Sequence, residues 1–200
     1  MRILCDTCSI LMLIRIAPDM FVNPKYECVT INEVRDEFIG TVHFKDKYPW
    51  RKEFKSHIKS RMLLSKADID SYFQIVNSLA SSAINKKTNR FFSLSHVDQL
   101  IAATVIGNDD VTISTGDQGL IDFLDQEFDE QNVYSLELVV EWLEMQLINW
   151  SDSIKFVLDD WDDKNEKPQP RSAAQALELS TGYRYTGLLF DDDHRQGSLK

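Results

Sequence analysis

The chain opens on Arg2-Ile3-Leu4-Cys5, a short apolar run that stops on a carboxylate, Asp6. A run of that length, apolar at consecutive rather than alternate positions, suits a strand covered on both faces. Residues 9–17 follow with helical spacing until Pro18 ends them. The same order then recurs along the chain. Residues 26–31 read as a second strand, and Asn32 stands where it can cap a helix that begins Glu33-Val34-Arg35-Asp36-Glu37-Phe38 and ends at Gly40. Ser65 with Asp68, and Ser95 with Asp98, are capping-box signals for two further helices. The first runs through Ala83 with Tyr72, Ile75, Val76 and Leu79 as its apolar stripe; the second carries Leu100, Ile101, Val105 and Ile106 and closes at Gly107-Asn108. Residues 111–114 read as a third strand and 132–135 as a fourth, with helices over 120–124 and 136–150. This alternation predicts an α/β fold, a Rossmann-like parallel sheet of four or five strands flanked by helices.

Two hundred residues, 43% of them hydrophobic with only 7 Gly and 5 Pro, support a packed core and exclude disordered, collagen-like and low-complexity classes. The pattern divides into a domain over 1–150 and an extension over 151–200, partly helical and partly disordered or docked. Within the extension, 151–161 reads as a helix, 162–170 as a polar, proline-bearing linker and 173–179 as a short helix, before apolar residues that end in Asp191-Asp192-Asp193. Apolar stretches fall well short of the roughly 18 to 20 residues that span a bilayer. Asp6 sits where a signal peptide needs its apolar run, and 3 Cys do not make a disulfide framework. The expectation is a cytoplasmic protein with no membrane partner. Cys5 and Cys8 also spell a C-x-x-C, which at a strand-to-helix turn is a redox alternative.

The formal charge of -10 excludes nucleic-acid binding by bulk electrostatics. Basic residues are nevertheless concentrated in one stretch. Lys45, Lys47, Arg51, Lys52, Lys55, Lys59, Arg61 and Lys66 face only Asp46 and Glu53 there, and Tyr48, Trp50 and Phe54 interleave with them. That composition fits a single-stranded nucleic-acid surface on which bases stack and cations track phosphates; it equally fits an amphipathic segment with a solvated basic face and core aromatics. Residues 117–166 are strongly acidic by contrast.

In a doubly wound sheet, ligands sit beyond the carboxyl ends of the strands. The first strand delivers Asp6 there, and the second leads within a turn to Glu33 and Glu37. The helix before the third strand starts with Asp98, and the third strand ends at Thr115 and Asp117. Four acids, one of them either Glu33 or Glu37, converge on one edge, where they raise each other's pKa unless a cation neutralises them. Mg²⁺ or Mn²⁺, hard ions with oxygen ligands, are the usual answer, and such sites hydrolyse phosphodiesters. Each helix-associated acid also has a capping or dipole role that needs no metal.

These residues carry a resemblance. Ile3-Leu4-Cys5-Asp6-Thr7-Cys8-Ser9-Ile10-Leu11 resembles the opening strand of the PIN-domain nucleases, and Ile31-Asn32-Glu33-Val34-Arg35-Asp36-Glu37-Phe38 resembles their second motif. Leu94-Ser95-His96-Val97-Asp98-Gln99-Leu100-Ile101-Ala102-Ala103-Thr104 is similar to the third, and Ser114-Thr115-Gly116-Asp117-Gln118-Gly119-Leu120 to the fourth. The resemblance spans about residues 1–145. It implies a Mg²⁺- or Mn²⁺-dependent endoribonuclease acting on single-stranded or loop RNA. Asp6, Glu37, Asp98 and Asp117 would be the catalytic and metal-binding acids, with Glu33 as the alternate in the second motif and Thr115 positioning the site. Lys45, Lys47, Arg51, Lys52, Lys55, Lys59 and Arg61 would guide the substrate. Compact members are commonly toxins of toxin–antitoxin pairs, which implies RNA as substrate and an antitoxin or other inhibitory protein and a homodimer as partners. Cys8 departs from the usual Asn or Ser. The alternative is a catalytically inactive nuclease-like scaffold that binds a protein or RNA partner. A further expectation is that the acidic tail around Leu188 to Asp193 folds over the basic stretch, so that removing 162–200 raises activity.

Overall fold

In the computed structural model, which describes residues 2–23, 27–42 and 44–192, β1 (Arg2–Cys5) is the middle strand of a parallel sheet ordered β2-β1-β5. Leu4 and Cys5 are fully buried, as a central strand covered on both sides requires. Asp6 caps α1 (Thr7–Leu13), its carboxylate accepting from the Ser9 amide. After α2 (Asp19–Val22) comes β2 (Cys28–Val29), then α3 (Asn32–Gly40) and α4 (Phe44–Lys47), followed by a 3-10 turn over Pro49–Phe54. The long α5 (Lys66–Ser82) leads through a small hairpin, β3 (Ile84–Asn85) with β4 (Arg90–Phe91), to α6 (His96–Ile106) and β5 (Val111–Ser114). Then follow α7 (Gln118–Phe128), α8 (Ser135–Glu144), α9 (Asp152–Asp163), β6 (Gln169–Pro170), α10 (Arg171–Thr181) and β7 (Leu189–Phe190). No helix among the described residues is long and apolar enough to cross a membrane.

The mixed α/β class holds, but the sheet has three strands rather than four or five. Two expected strands shrink for local reasons. The second enters through Glu27, whose carbonyl accepts from the Ile3 amide at 3.0 Å but whose φ of 64° lies in the left-handed region, so extended backbone begins only at Cys28; of the expected 26–31, residue 26 lies outside the described residues. The fourth is reduced to one parallel bridge between Asn132 and Ile113. Asn132 spends its amide on Thr115, accepting from its backbone N–H at 2.8 Å and donating to its carbonyl at 3.0 Å, and Ser135 already begins α8. Asn32 does not cap α3: Ile31 is the N-cap, and the Asn32 side chain accepts from the Ser60 hydroxyl at 2.5 Å. The two serine signals hold, with Ser65 capping α5 and Ser95 forming a full capping box with Asp98.

The extension is docked. Ile154, Val157, Leu158, Trp161, Ala173, Ala174, Leu177 and Tyr185 belong to the same buried cluster as β1 and α1, and α10 packs on α8. The polar segment 162–170 is not a free linker. Asn165, with φ 49°, reverses the chain after α9 while the Glu166 amide donates to the Trp161 carbonyl and the Asn165 amide to that of Asp162, the two bonds of a Schellman turn. Gln169, only 1% exposed, then accepts from the Leu136 amide at 2.8 Å at the start of α8.

Candidate active site

Parallel pairing sets Cys5 opposite Ser114, so the residues that follow, Asp6 and Thr115, emerge side by side at the carboxyl ends of β1 and β5. The Thr115 hydroxyl donates to Asp6 Oδ2 at 2.5 Å, while Asp6 Oδ1 accepts from the Ser9 amide at 2.7 Å. The same Thr115 oxygen accepts from the Asp117 amide at 2.9 Å, and Asp117 Oδ1 caps α7 by accepting from the Leu120 amide at 3.0 Å. One hydroxyl thus binds the Asp6 carboxylate and the Asp117 backbone amide across the strand ends. From α3, Glu37 reaches the same edge by accepting the Thr7 hydroxyl at 2.5 Å, one residue beyond Asp6.

Asp6 is buried at 6% exposure. Burial pushes its carboxyl up to about 6, against the opposing pull of the Ser9 and Thr115 hydrogen bonds, and the nearby Asp117 charge adds to the rise. Two carboxylates with a shortage of positive charge suit a hard divalent cation in donor type. In arrangement they stop short: among the described residues no group of three His, Cys, Asp or Glu is gathered to hold one ion. Asp98 is turned to its own helix end, where its carboxylate accepts from the Ser95 amide at 2.9 Å.

Glu33 goes elsewhere. It lines a cavity of about 650 Å³ between α3, α5 and α6, with Arg61, Met62, Phe73, His96 and Thr104. Phe73 and His96 meet edge to face there, their ring centroids 5.2 Å apart.

The basic stretch divides. Lys45, Lys52, Lys55 and Lys59 are exposed and Arg61 is half-buried at the cavity. Arg51 is buried at 3% exposure and donates to the Phe38 carbonyl at 2.9 Å and the Thr41 carbonyl at 2.7 Å, so it closes the end of α3 instead of meeting a substrate. The aromatics do not form a stacking platform for bases either. Phe44, Tyr48, Trp50 and Phe54 contact one another edge to face with centroids 5.6 to 5.9 Å apart, and Tyr48 is buried. Arg15 covers Trp50 at 4.9 Å.

Two residues of the extension arrive at the edge unannounced by any motif. Glu166, 9% exposed, accepts the Tyr48 hydroxyl and lies 3.4 Å from the Lys47 ammonium. Burial and that bond to Glu166 push the Tyr48 phenol up. Beside it, the Lys167 stem lies across Gly116, between Thr115 and Asp117. The only sequence trace of this is Asn165 just past α9, a residue tolerant of the left-handed turn that sends the chain back. The terminal acids go to α10 instead of the basic stretch: Asp191 accepts from Arg171 at 2.5 Å, and Asp192 from Ser172. Residue 193 lies outside the described residues.

The thiols offer no redox pair of the C-x-x-C kind. Cys5 and Cys28 are buried and free, and Cys8 is half-buried and free. The Cys5 thiol is pushed up chiefly by its hydrogen bond with Cys28, and the Cys8 thiol by burial; both are poor nucleophiles in that state.

No family model matches the chain, and neither the curated proteins nor the solved structures contain a significant match to it.

Proposed function

We propose that this chain is a PIN-like, Mg²⁺- or Mn²⁺-dependent endoribonuclease that hydrolyses single-stranded or loop RNA. The observation that carries the reading is the Asp6–Thr115–Asp117 relay at the ends of β1 and β5, joined by Glu37 through Thr7. Two aspartates, the buried Asp6 through its carboxylate and Asp117 through its backbone amide, are tied to one hydroxyl at the strand ends. A structural cap needs no such partner. Asp6 and Asp117, with Glu37, would hold the cation, Asp98 joining them only by leaving its cap on α6; the cation when bound would supply water activation and charge neutralisation on the phosphodiester. The chain's own part is orientation. Thr115 holds the Asp6 carboxylate and the backbone at Asp117, the Leu120 amide holds the Asp117 carboxylate, and the Ser9 amide holds the far oxygen of Asp6. The cavity lined by Phe73 and His96 lies one turn of α3 away, through Glu33, and is of a size and polarity to take an unpaired base. Exposed Lys45, Lys52, Lys55 and Lys59 would guide the strand. Toxin partnership with an antitoxin, or a homodimer, belongs to the same proposal.

A second reading has an observation in its favour. Among the described residues the acids do not gather in threes about one point, which suits a scaffold that binds RNA or protein without cutting. Incubation of labelled single-stranded RNA with Mn²⁺, with EDTA, and with Asp117→Asn in Mn²⁺ separates the two. The nuclease reading expects cleavage that EDTA abolishes and that the variant lowers at least a hundredfold. A folded protein that neither cleaves nor takes up Mn²⁺ in calorimetry supports the scaffold.

A further inference from the structure

The extension brings a cation to the acid edge that no acid claims. A methyl group placed on Gly116 would lie 2.5 Å from Lys167 Cγ, 2.7 Å from its Cβ and 3.3 Å from its Cδ. The aliphatic stem therefore rests directly on the backbone between Thr115 and Asp117. Its position is fixed from both sides: the Schellman turn at Asn165 aims it, and the Lys167 carbonyl accepts from Gln169 Nε2 at 2.9 Å. The ammonium, by contrast, makes no ion pair within 4.0 Å among the described residues. Its neighbour Glu166 is already satisfied by Tyr48 and Lys47. The charges of Lys167, Asp6, Asp117 and Glu166 all act on the Cys8 thiol, so they share one small neighbourhood.

An ammonium on a pinned stem, left without a carboxylate in an acid-rich place, is free for an incoming anion. Resting on the nuclease reading, we infer that Lys167 is a substrate-positioning residue whose ammonium binds a backbone phosphate of single-stranded RNA beside the Asp6–Asp117 edge, so that the extension is part of the substrate site. Lysine suits this task as a flexible point charge for a phosphate oxygen.

The test is binding without turnover. The full chain is titrated with a short fluorescent single-stranded oligoribonucleotide in EDTA across a series of salt concentrations, as wild type, Lys167→Met, Lys167→Arg and Lys155→Ala. Methionine keeps the stem on Gly116 and removes the charge; Lys155 is exposed on α9 and serves as a charge-loss control. One lost phosphate contact lowers the slope of log K against log salt by about 0.7 for a single strand. The expected result is that loss in Lys167→Met alone, with near wild-type slope in Lys167→Arg and Lys155→Ala and unchanged melting temperatures. A wild-type slope in Lys167→Met overturns the inference while leaving the nuclease reading intact. So does a gain in Mn²⁺ affinity in that variant with RNA binding unchanged, which would make Lys167 a stand-in for the metal. Loss of the contact in a protein that never cleaves keeps Lys167 as an RNA contact and ends the nuclease reading, and a wild type that neither binds nor cleaves RNA ends both.

Discussion

Asp6 joins stability to function. Its carboxyl titrates near 6 in the folded chain and near 3.9 when unfolded, so between those values the folded state holds more protons than the unfolded one. Stability from this group is fully present below about pH 4 and is lost as pH rises through about 6. Asp6→Asn keeps an acceptor for the Ser9 amide and cannot ionise. Its stability should match wild type near pH 4 and exceed it at pH 7.5 by on the order of 3 kcal/mol, seen as a higher melting temperature at pH 7.5 alone, while RNA cleavage disappears. Thermal unfolding at the two pH values checks this, and a gap independent of pH would remove burial as the cause. Thr115→Val removes the hydroxyl that serves both aspartates and should lower Mn²⁺ affinity and cleavage by about 10- to 100-fold, as loss of an outer-shell partner does; calorimetry beside the cleavage assay reads both. Asp6 and Thr115 were legible because each follows directly on a strand whose apolar run is visible, and Asp117 because it stands in the turn just after. Glu37 was legible through the Val34 and Phe38 face it adjoins. Asp98 was legible only as an acid at a helix start, and its carboxylate serves the cap. Glu166 and Lys167 carried no signal of their own, because their place depends on the turn at Asn165, several elements away from the strands they meet.

The basic stretch shows how an element can mislead while its composition is read correctly. Charge and aromatic content along 45–66 describe both a nucleic-acid surface and a wedge of core, and only packing decides between them. Tyr48, Trp50 and Phe54 turn inward onto one another, and Arg51 follows them to satisfy the carbonyls at the end of α3. Two neighbouring cations should therefore part company on substitution. Arg51→Ala takes the guanidinium from the buried Phe38 carbonyl and leaves the half-buried Thr41 carbonyl only the Phe44 amide, and should cost about 1–3 kcal/mol in denaturant unfolding, whereas Lys52→Ala, exposed on the surface, should stay within about 0.5 kcal/mol and show its effect in RNA affinity. Equal stability losses would contradict the assignment. Helix ends follow the same logic. The Ser65 and Ser95 starts were readable from short-range hydrogen bonding, but the end of α8 was expected at 150 and comes at Glu144. Gln146 there takes the left-handed position of a Schellman turn, with its amide on the Leu143 carbonyl and that of Leu147 on Trp142. No glycine or asparagine marks that stop, and Gln does not advertise it.

A chain whose last fifty residues looked separable folds as one buried cluster, and this reverses the expected outcome of truncation. Leu177 is fully buried, Gln169 is 1% exposed, and Trp161 is 3% exposed. Gln169 supplies an acceptor to the first turn of α8 and lies 3.9 Å from the sulfur of Met12 on α1. Cutting after Asp163 would expose the surfaces of α8 and α1 that β6 and α10 cover and leave the Leu136 amide without its acceptor. Asp191 and Asp192 of the acidic tail meanwhile are spent on Arg171 and Ser172 of α10, and not on Lys45, Lys52, Lys55 or Lys59. The fold therefore predicts destabilisation where autoinhibition would predict activation. The milder Leu177→Ala should cost about 2–5 kcal/mol while preserving a single cooperative transition, and the chain ending at 163 should melt far lower and cleave RNA less than the full chain. Circular dichroism melts of the three proteins, followed by cleavage at a temperature where all are folded, decide the matter: a truncated chain as stable as wild type and faster in cleavage would show that the extension is a removable inhibitor rather than part of the fold and its site.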